Sequence, residues 1–274
     1  MNLKDIERSS KMKLKQILIF SMLLLISASC TSPLNKKEVS PSIASTEKAL
    51  NEKDSFTADY SEETINGLNS EKVSLTNTAT LSVGSKDSAF STMTLLRPSG
   101  AEEIPDSKQT IYTLLNPKNS KEIIEYTNQD PNTTWQERTM PLPWENNKTY
   151  SDNALYLHER LWTPIRTFKD RFTRSDKMSD VDGKKAVSFQ AVLLKEDLEK
   201  DIDPALKKNL SSVSYDKLTI TLWSDPDSSL PLKIEMQSEL TIGEEKIPSS
   251  SKETLVYTSF DPVKETLPED IATE

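Results

Sequence analysis

The sequence predicts an α+β fold in which helices lie across an antiparallel sheet. Three observations carry that prediction. Segments with period-two hydrophobic alternation recur at intervals of roughly ten to fifteen residues, with no helical pattern between them, as in a meander of short strands. One central stretch, 151–172, changes to helical periodicity. No internal repeat and no sharp shift of composition follows residue 45, so one domain accounts for the body of the chain.

In chain order, Ser45-Thr46-Glu47-Lys48 opens a short helix to Lys53, with Ser45 as N-cap and Glu47 in the first turn. Val73, Leu75, Ala79, Leu81 and Val83 alternate with serines and threonines, which predicts a half-buried strand; Gly84-Ser85-Lys86-Asp87 turns it into a return strand over 89–96. Further strands are expected at 109–114, 122–127 and 133–138, separated by Pro- and Asn-rich turns. From Ser151, the positions of Ala154, Leu155, His158, Leu161, Trp162, Ile165, Phe168 and Phe172 describe a helical lid. Pro164 inside it predicts two helices or one kinked helix. Asp182-Gly183 signals a hairpin before a strand at 187–193. A charged helix-like stretch from Lys195 to Ser211 is interrupted at Pro204, and strands at 217–224, 230–242 and 252–260 complete the chain.

Composition limits the chemistry. The 274 residues contain one cysteine, Cys30, and one histidine, His158, so disulfides, Cys-His metal sites and Cys/His dyads in the folded body are excluded if Cys30 is spent elsewhere. No metal or cofactor is expected, since five scattered glycines build no phosphate cradle and no G-x-S-x-G or H-E-x-x-H occurs. His158 lies on an apolar helix stripe and reads as a packing residue before it reads as a base, and Glu159 beside it points to another face. A hydrolase using His158 is the remote alternative. Asp225-Pro226-Asp227-Ser228-Ser229 imitates the start of a calcium loop, but its sixth and twelfth positions are Leu230 and Met236, so it reads as a turn with Asp225 as side-chain cap. An enzyme is not expected.

The first thirty residues read as an address. Lys4, Arg8, Lys11, Lys13 and Lys15 precede the apolar run Ile17–Ile26, which is too short to span a bilayer, and Ser27-Ala28-Ser29 leads into Cys30. Met12 offers a second possible start. This order resembles a bacterial lipobox, with Ser27 where Leu, Val or Ile is usual. The expected division is a signal peptide at 1–29 that is removed, a flexible tether at 30–44 from a lipidated Cys30, and a single domain at 45–274. The alternative is a plain secreted protein with an incidental Cys30. Acylation there would hold the protein in the cell envelope, and Thr31 in place of an aspartate favours the outer membrane or cell surface over the inner membrane. Without 1–29 the chain carries 29 Lys and Arg against 41 Asp and Glu, a net charge of −12, which repels nucleic acid and anionic headgroups.

One hairpin is more specific. Leu218-Thr-Ile220-Thr-Leu222-Trp223-Ser-Asp225 followed by Leu230-Pro231-Leu232-Lys233-Ile234-Glu235 resembles the "W-x-D, turn, L-P-x-K/R-x-E" hairpin of the envelope lipoprotein-carrier superfamily, which includes LolA-, LolB- and LppX/LprG-like proteins. The resemblance is convincing over roughly 180–270. It implies a curved antiparallel sheet, an unclosed β-barrel, covered by helices, whose apolar interior holds an acyl chain of a lipid or lipoprotein. Candidate lining residues are Trp135, Trp162, Phe168, Phe189 and Trp223. These side chains, with Trp144 and Phe90, fit equally a filled core, which would leave an interaction module for an envelope protein partner.

Overall fold

The computed structural model describes residues 36–68, 71–85, 87–97, 106–129, 134–143, 153–201, 213–242 and 247–271. Residues 1–29, Cys30 and Trp144 lie outside them. Helix α1 is Lys36–Asn51, and strands β1 (Phe56–Leu68), β2 (Glu71–Val83), β3 (Ser91–Arg97), β4 (Ser107–Leu115), β5 (Glu122–Asn128) and β6 (Gln136–Pro141) follow. Helix α2 (Ala154–Thr167) and a 3-10 turn at Lys169–Arg171 come next. The second half is β7 (Thr173–Arg174), β8 (Ser179–Val181), β9 (Lys184–Leu194), α3 (Lys195–Asp201), β10 (Val213–Ser224), β11 (Pro231–Ile242) and β12 (Ile247–Ser259).

The chain meanders outward from β1 to β6, crosses back through α2, and meanders inward until β12 pairs with β1. The strand order is β6-β5-β4-β3-β2-β1-β12-β11-β10-β9-β7, with β8 also on β9, and every pairing is antiparallel. The ends β6 and β7 are not paired to each other, so the sheet is an open half-barrel, as the sequence predicted. One face alternates into the core: Ala58 and Tyr60 of β1, Ala79 and Leu81 of β2, Leu218, Ile220 and Leu222 of β10, Ile234 and Met236 of β11, and Leu255 and Tyr257 of β12. Helix α2 closes that face with Leu157, Leu161, Trp162 and Ile165.

Two differences from the sequence reading have physical causes. Helix α1 begins nine residues before Ser45, so 36–44 belong to a packed helix and not to a tether. Val39 and Ile43 are buried one turn apart and Leu50 continues their stripe, and that burial outweighs the Pro41 and serines that read as a loop. Helix α2 runs unbroken through Pro164 and stops at Thr167, where the Phe168 N–H caps the Pro164 carbonyl; Phe172 lies beyond it, fully buried after the 3-10 turn. The turns are as expected. Asp182 and Gly183, at φ of 50° and 80°, join β8 to β9, and the Asp225 carboxylate accepts the N–H groups of Asp227 and Ser228 at 2.8 Å each. Those backbone donors hold its pKa below the ordinary aspartate range.

Candidate functional site

Helix α2 is fixed at its start by Asn153, which is fully buried. Its Oδ1 caps the Tyr156 N–H at 3.0 Å and its Nδ2 donates to Glu125 Oε2 on β5 at 2.7 Å, while Arg138 on β6 pairs with the other oxygen of Glu125. Two turns on, Trp162 Nε1 donates to the Tyr257 hydroxyl at 2.8 Å, and His158 Nε2 lies 2.9 Å from the same oxygen. The imidazole lies against Phe56 at a tilt of 37°, with centroids 4.7 Å apart. Burial pushes the Tyr257 hydroxyl far above its ordinary pKa, against the pull of the indole N–H, so it remains a phenol. His158 therefore belongs to a hydrogen-bonded aromatic cluster that locks α2 to β12.

On the far side of this cluster a cavity of about 490 Å³ opens between the end of α1, the start of β1, the end of β2 and α2. Leu50, Phe56, Val83, Ala89, Leu155 and Trp162 form its apolar wall, and Glu47, Lys53, Asp54, Glu159 and Arg166 its charged rim. Arg166 pairs with both Glu47 on α1 and Glu159 on α2, which joins the two helices across the opening. Strand β2 is followed by Gly84, where a Cβ would crowd the Glu265 carboxylate. That carboxylate accepts the Ser85 N–H at 3.0 Å and the Ser88 hydroxyl at 2.7 Å, so the C-terminal segment folds back to hold the turn that edges the cavity.

Of the candidate lining residues, Trp162 alone lines this cavity. Phe189 is packed in the main core and Phe168 against it. Trp223 alternates to the opposite face of β10 from Leu222, packs in a separate cluster with Val181, Ala186 and Leu232, and has Lys233 Nζ 4.6 Å from its ring centre. Trp135 donates to Asp270 at 2.7 Å and meets Tyr112 edge-on, again on the outer face. Among the described residues the side chains beneath α2 are closely packed: Trp162, Phe172, Leu161, Ile165 and Leu222 are each at most 1% exposed. The aromatic residues of the sequence are thus shared among a core, a mouth and an outer surface. Alternation within β10 could have separated Trp223 from the core, whereas the helix predicted at 45–53, which contains Glu47 and Leu50, carried no signal that placed it beside α2.

Similar open sheets with helices occur in solved structures. LppX of Mycobacterium tuberculosis matches with a TM-score of 0.36 at 10% identity, over 85% of this chain and 100% of that one. LprF of Mycobacterium bovis matches at 0.41 and 14%, over 85% and 97%. A LolA superfamily protein of Nitrosomonas europaea matches at 0.27 and 13%, over 84% and 96%. No protein-family model matches the sequence, and no curated protein matches it. With every one of these scores below 0.5, the functional reading rests on the chain's own residues.

Proposed function

We propose that this protein is a cell-envelope lipoprotein, anchored through an acylated Cys30, that holds one acyl chain of a lipid or lipoprotein for carriage, presentation or sensing. The observation that carries the reading is the cavity between α1 and α2, whose deep wall is apolar and whose rim is charged. That is the polarity of an amphiphile. Its 490 Å³ falls within the ~300–1,000 Å³ usual for small-molecule pockets. A buried chain gains about 0.8 kcal/mol per methylene, so a mouth that takes eight of them supplies roughly 6 kcal/mol before the cost of ordering the chain. Because the described side chains beneath α2 are closely packed, the ligand enters at the mouth between α1 and α2. Cys30 follows the small residues expected before a lipidated cysteine, which supports the anchor, and Thr31 in place of an aspartate favours the outer-membrane or surface location.

Native mass spectrometry of the mature chain carrying Cys30→Ala tests the pocket. A one-to-one adduct with palmitate that Leu50→Trp abolishes is expected, and a clean unliganded mass at every fatty-acid concentration counts against it. The filled core also favours a second reading, a protein-interaction module that uses the acidic surface. That reading predicts no lipid adduct and a partner whose capture weakens with salt.

A further inference from the structure

On the outer face of the sheet, the side chains of β12, β1, β2 and β3 are small where their neighbours are long. Strand register aligns Val256, Asp59, Thr80 and Thr94 across these four strands. One rung further, Thr254, Ser61, Thr78 and Leu96 align in the same way. Beyond them stand Lys233 and Glu235 on β11, opposite Val256 and Thr254, and the cross-strand pair of Glu63 and Lys252. Serines and threonines framed by longer side chains leave a depression, and a pocket of about 310 Å³ lies there. With strands ~4.8 Å apart and residues ~3.4 Å along each strand, its floor is a plate of roughly 14 by 7 Å.

The floor is rich in hydrogen-bonding groups that the chain does not use. Thr80 donates to Asp59 Oδ1 at 3.3 Å, and among the described residues nothing donates to the other Asp59 oxygen. The hydroxyls of Ser61, Thr78, Thr94 and Thr254 make no hydrogen bond with another described residue. Among the described residues no cation lines the pocket, and the nearby Lys233 and Lys252 both turn to Glu235 Oε2, at 2.8 and 3.2 Å. Val256 and Leu96, the latter 45% exposed, place aliphatic groups at opposite corners of the plate.

We propose that this outer-face pocket binds an uncharged disaccharide unit of a glycan. Each hydroxyl of the floor both donates and accepts, whereas the Asp59 carboxylate only accepts. A ligand that satisfies them carries donors and acceptors spread along the plate. An amine would satisfy Asp59 alone and leave the four hydroxyls to water. A carboxylate or sulfate would lie against Asp59 with no lining cation to offset it, so anionic sugars are rejected. Sugar rings carry hydroxyls around their rims and C–H groups on their faces, which matches a hydroxyl-rich floor with aliphatic corners. The pocket is at the small end of the ~300–1,000 Å³ usual for such sites, as a ligand of two rings requires. Asp59 alternates with the buried Ala58 and Tyr60, so the pocket is on the opposite face of the sheet from the acyl cavity and does not rest on the acyl reading.

The test is an array of immobilised neutral oligosaccharides, each beside a uronic-acid or sulfated counterpart, probed with the mature chain carrying Cys30→Ala. Calorimetric titration with the disaccharide of the strongest neutral match follows. Binding to a neutral glycan, with its anionic counterpart at least tenfold weaker, is expected. Asp59→Asn keeps the shape and removes the charge, so it weakens the neutral disaccharide severalfold and narrows the gap to the anionic one. Thr78→Val removes one exposed hydroxyl of the floor, so it weakens the disaccharide severalfold and leaves the melting temperature near that of the wild type. Absence of binding to every neutral glycan, equal binding of the anionic counterparts, or binding that either variant leaves unchanged overturns the proposal. Capture of polylysine in place of neutral glycans overturns it in favour of a cationic partner for Asp59. Loss of palmitate binding in Leu50→Trp with disaccharide binding retained separates this site from the acyl cavity.

Discussion

Tyr257 shows how much one hydroxyl organises. It accepts the indole N–H of Trp162, which is 1% exposed and has no water to turn to. Tyr257→Phe leaves that donor buried and unpaired, and a loss of about 1–3 kcal/mol is expected in urea unfolding. Trp162→Phe in the same background should then cost less than it does in the wild type, because the two changes share one bond. Glu235 gives the pH dependence. Its burial alone would raise its pKa, but the bond from Lys233 at 2.8 Å, the Lys233 charge, the Gln237 amide and Lys252 together bring it below the ordinary glutamate value. A carboxyl lowered on folding stabilises the protein above its unfolded pKa of about 4.3, and that stability is lost as pH falls through the lower folded value. Melting temperatures from pH 6 to pH 3 should therefore fall less steeply in Glu235→Gln, which at pH 6 is itself about 1–2 kcal/mol less stable than wild type. At this scale the sequence put His158 on an apolar helix stripe, and the structure sets it there between Phe56 and Trp162. It could not pair His158 with Tyr257, 99 residues away.

At the scale of elements, the strands whose inner positions are apolar were legible, and so was α2. Strand β1 was not, although it is central and pairs with both β2 and β12. Its inner positions run Phe56, Ala58, Tyr60, Glu62, Thr64, and the last two break the alternation that identifies a half-buried strand. The residues that hid β1 are polar and buried. Helix α1 was half hidden for the opposite reason, since its buried Val39 and Ile43 lie among serines and Pro41. A domain cut at Ser45 loses both side chains, while one cut at Lys36 keeps them. The shorter form should melt at a markedly lower temperature, by an amount equivalent to about 2–5 kcal/mol, and Ile43→Ala in the longer form should reproduce a large share of it.

For the whole molecule, the decisive feature is a sheet that curves without closing, with its two ends spanned in sequence by α2. Antiparallel order followed from strand spacing, and the open barrel was what the resemblance carried by the W-x-D hairpin implied; that hairpin forms β10–β11. Where the lid would leave space was not legible, because space depends on how α1 and α2 approach one another, and their approach is set by contacts such as Arg166 with Glu47 that join residues 119 apart. Breaking that bridge with Arg166→Ala should loosen the mouth, raising the off-rate of a fluorescent fatty acid in stopped-flow release while changing stability by less than about 1 kcal/mol. The most direct measurement is photo-crosslinking with a diazirine fatty acid followed by peptide mapping. Labels confined to residues 47–56, 83–89 and 155–166, and lost on competition with palmitate, are the predicted result; labels spread over the outer face around Leu96 and Val192, or no competable label, would contradict an acyl site between α1 and α2.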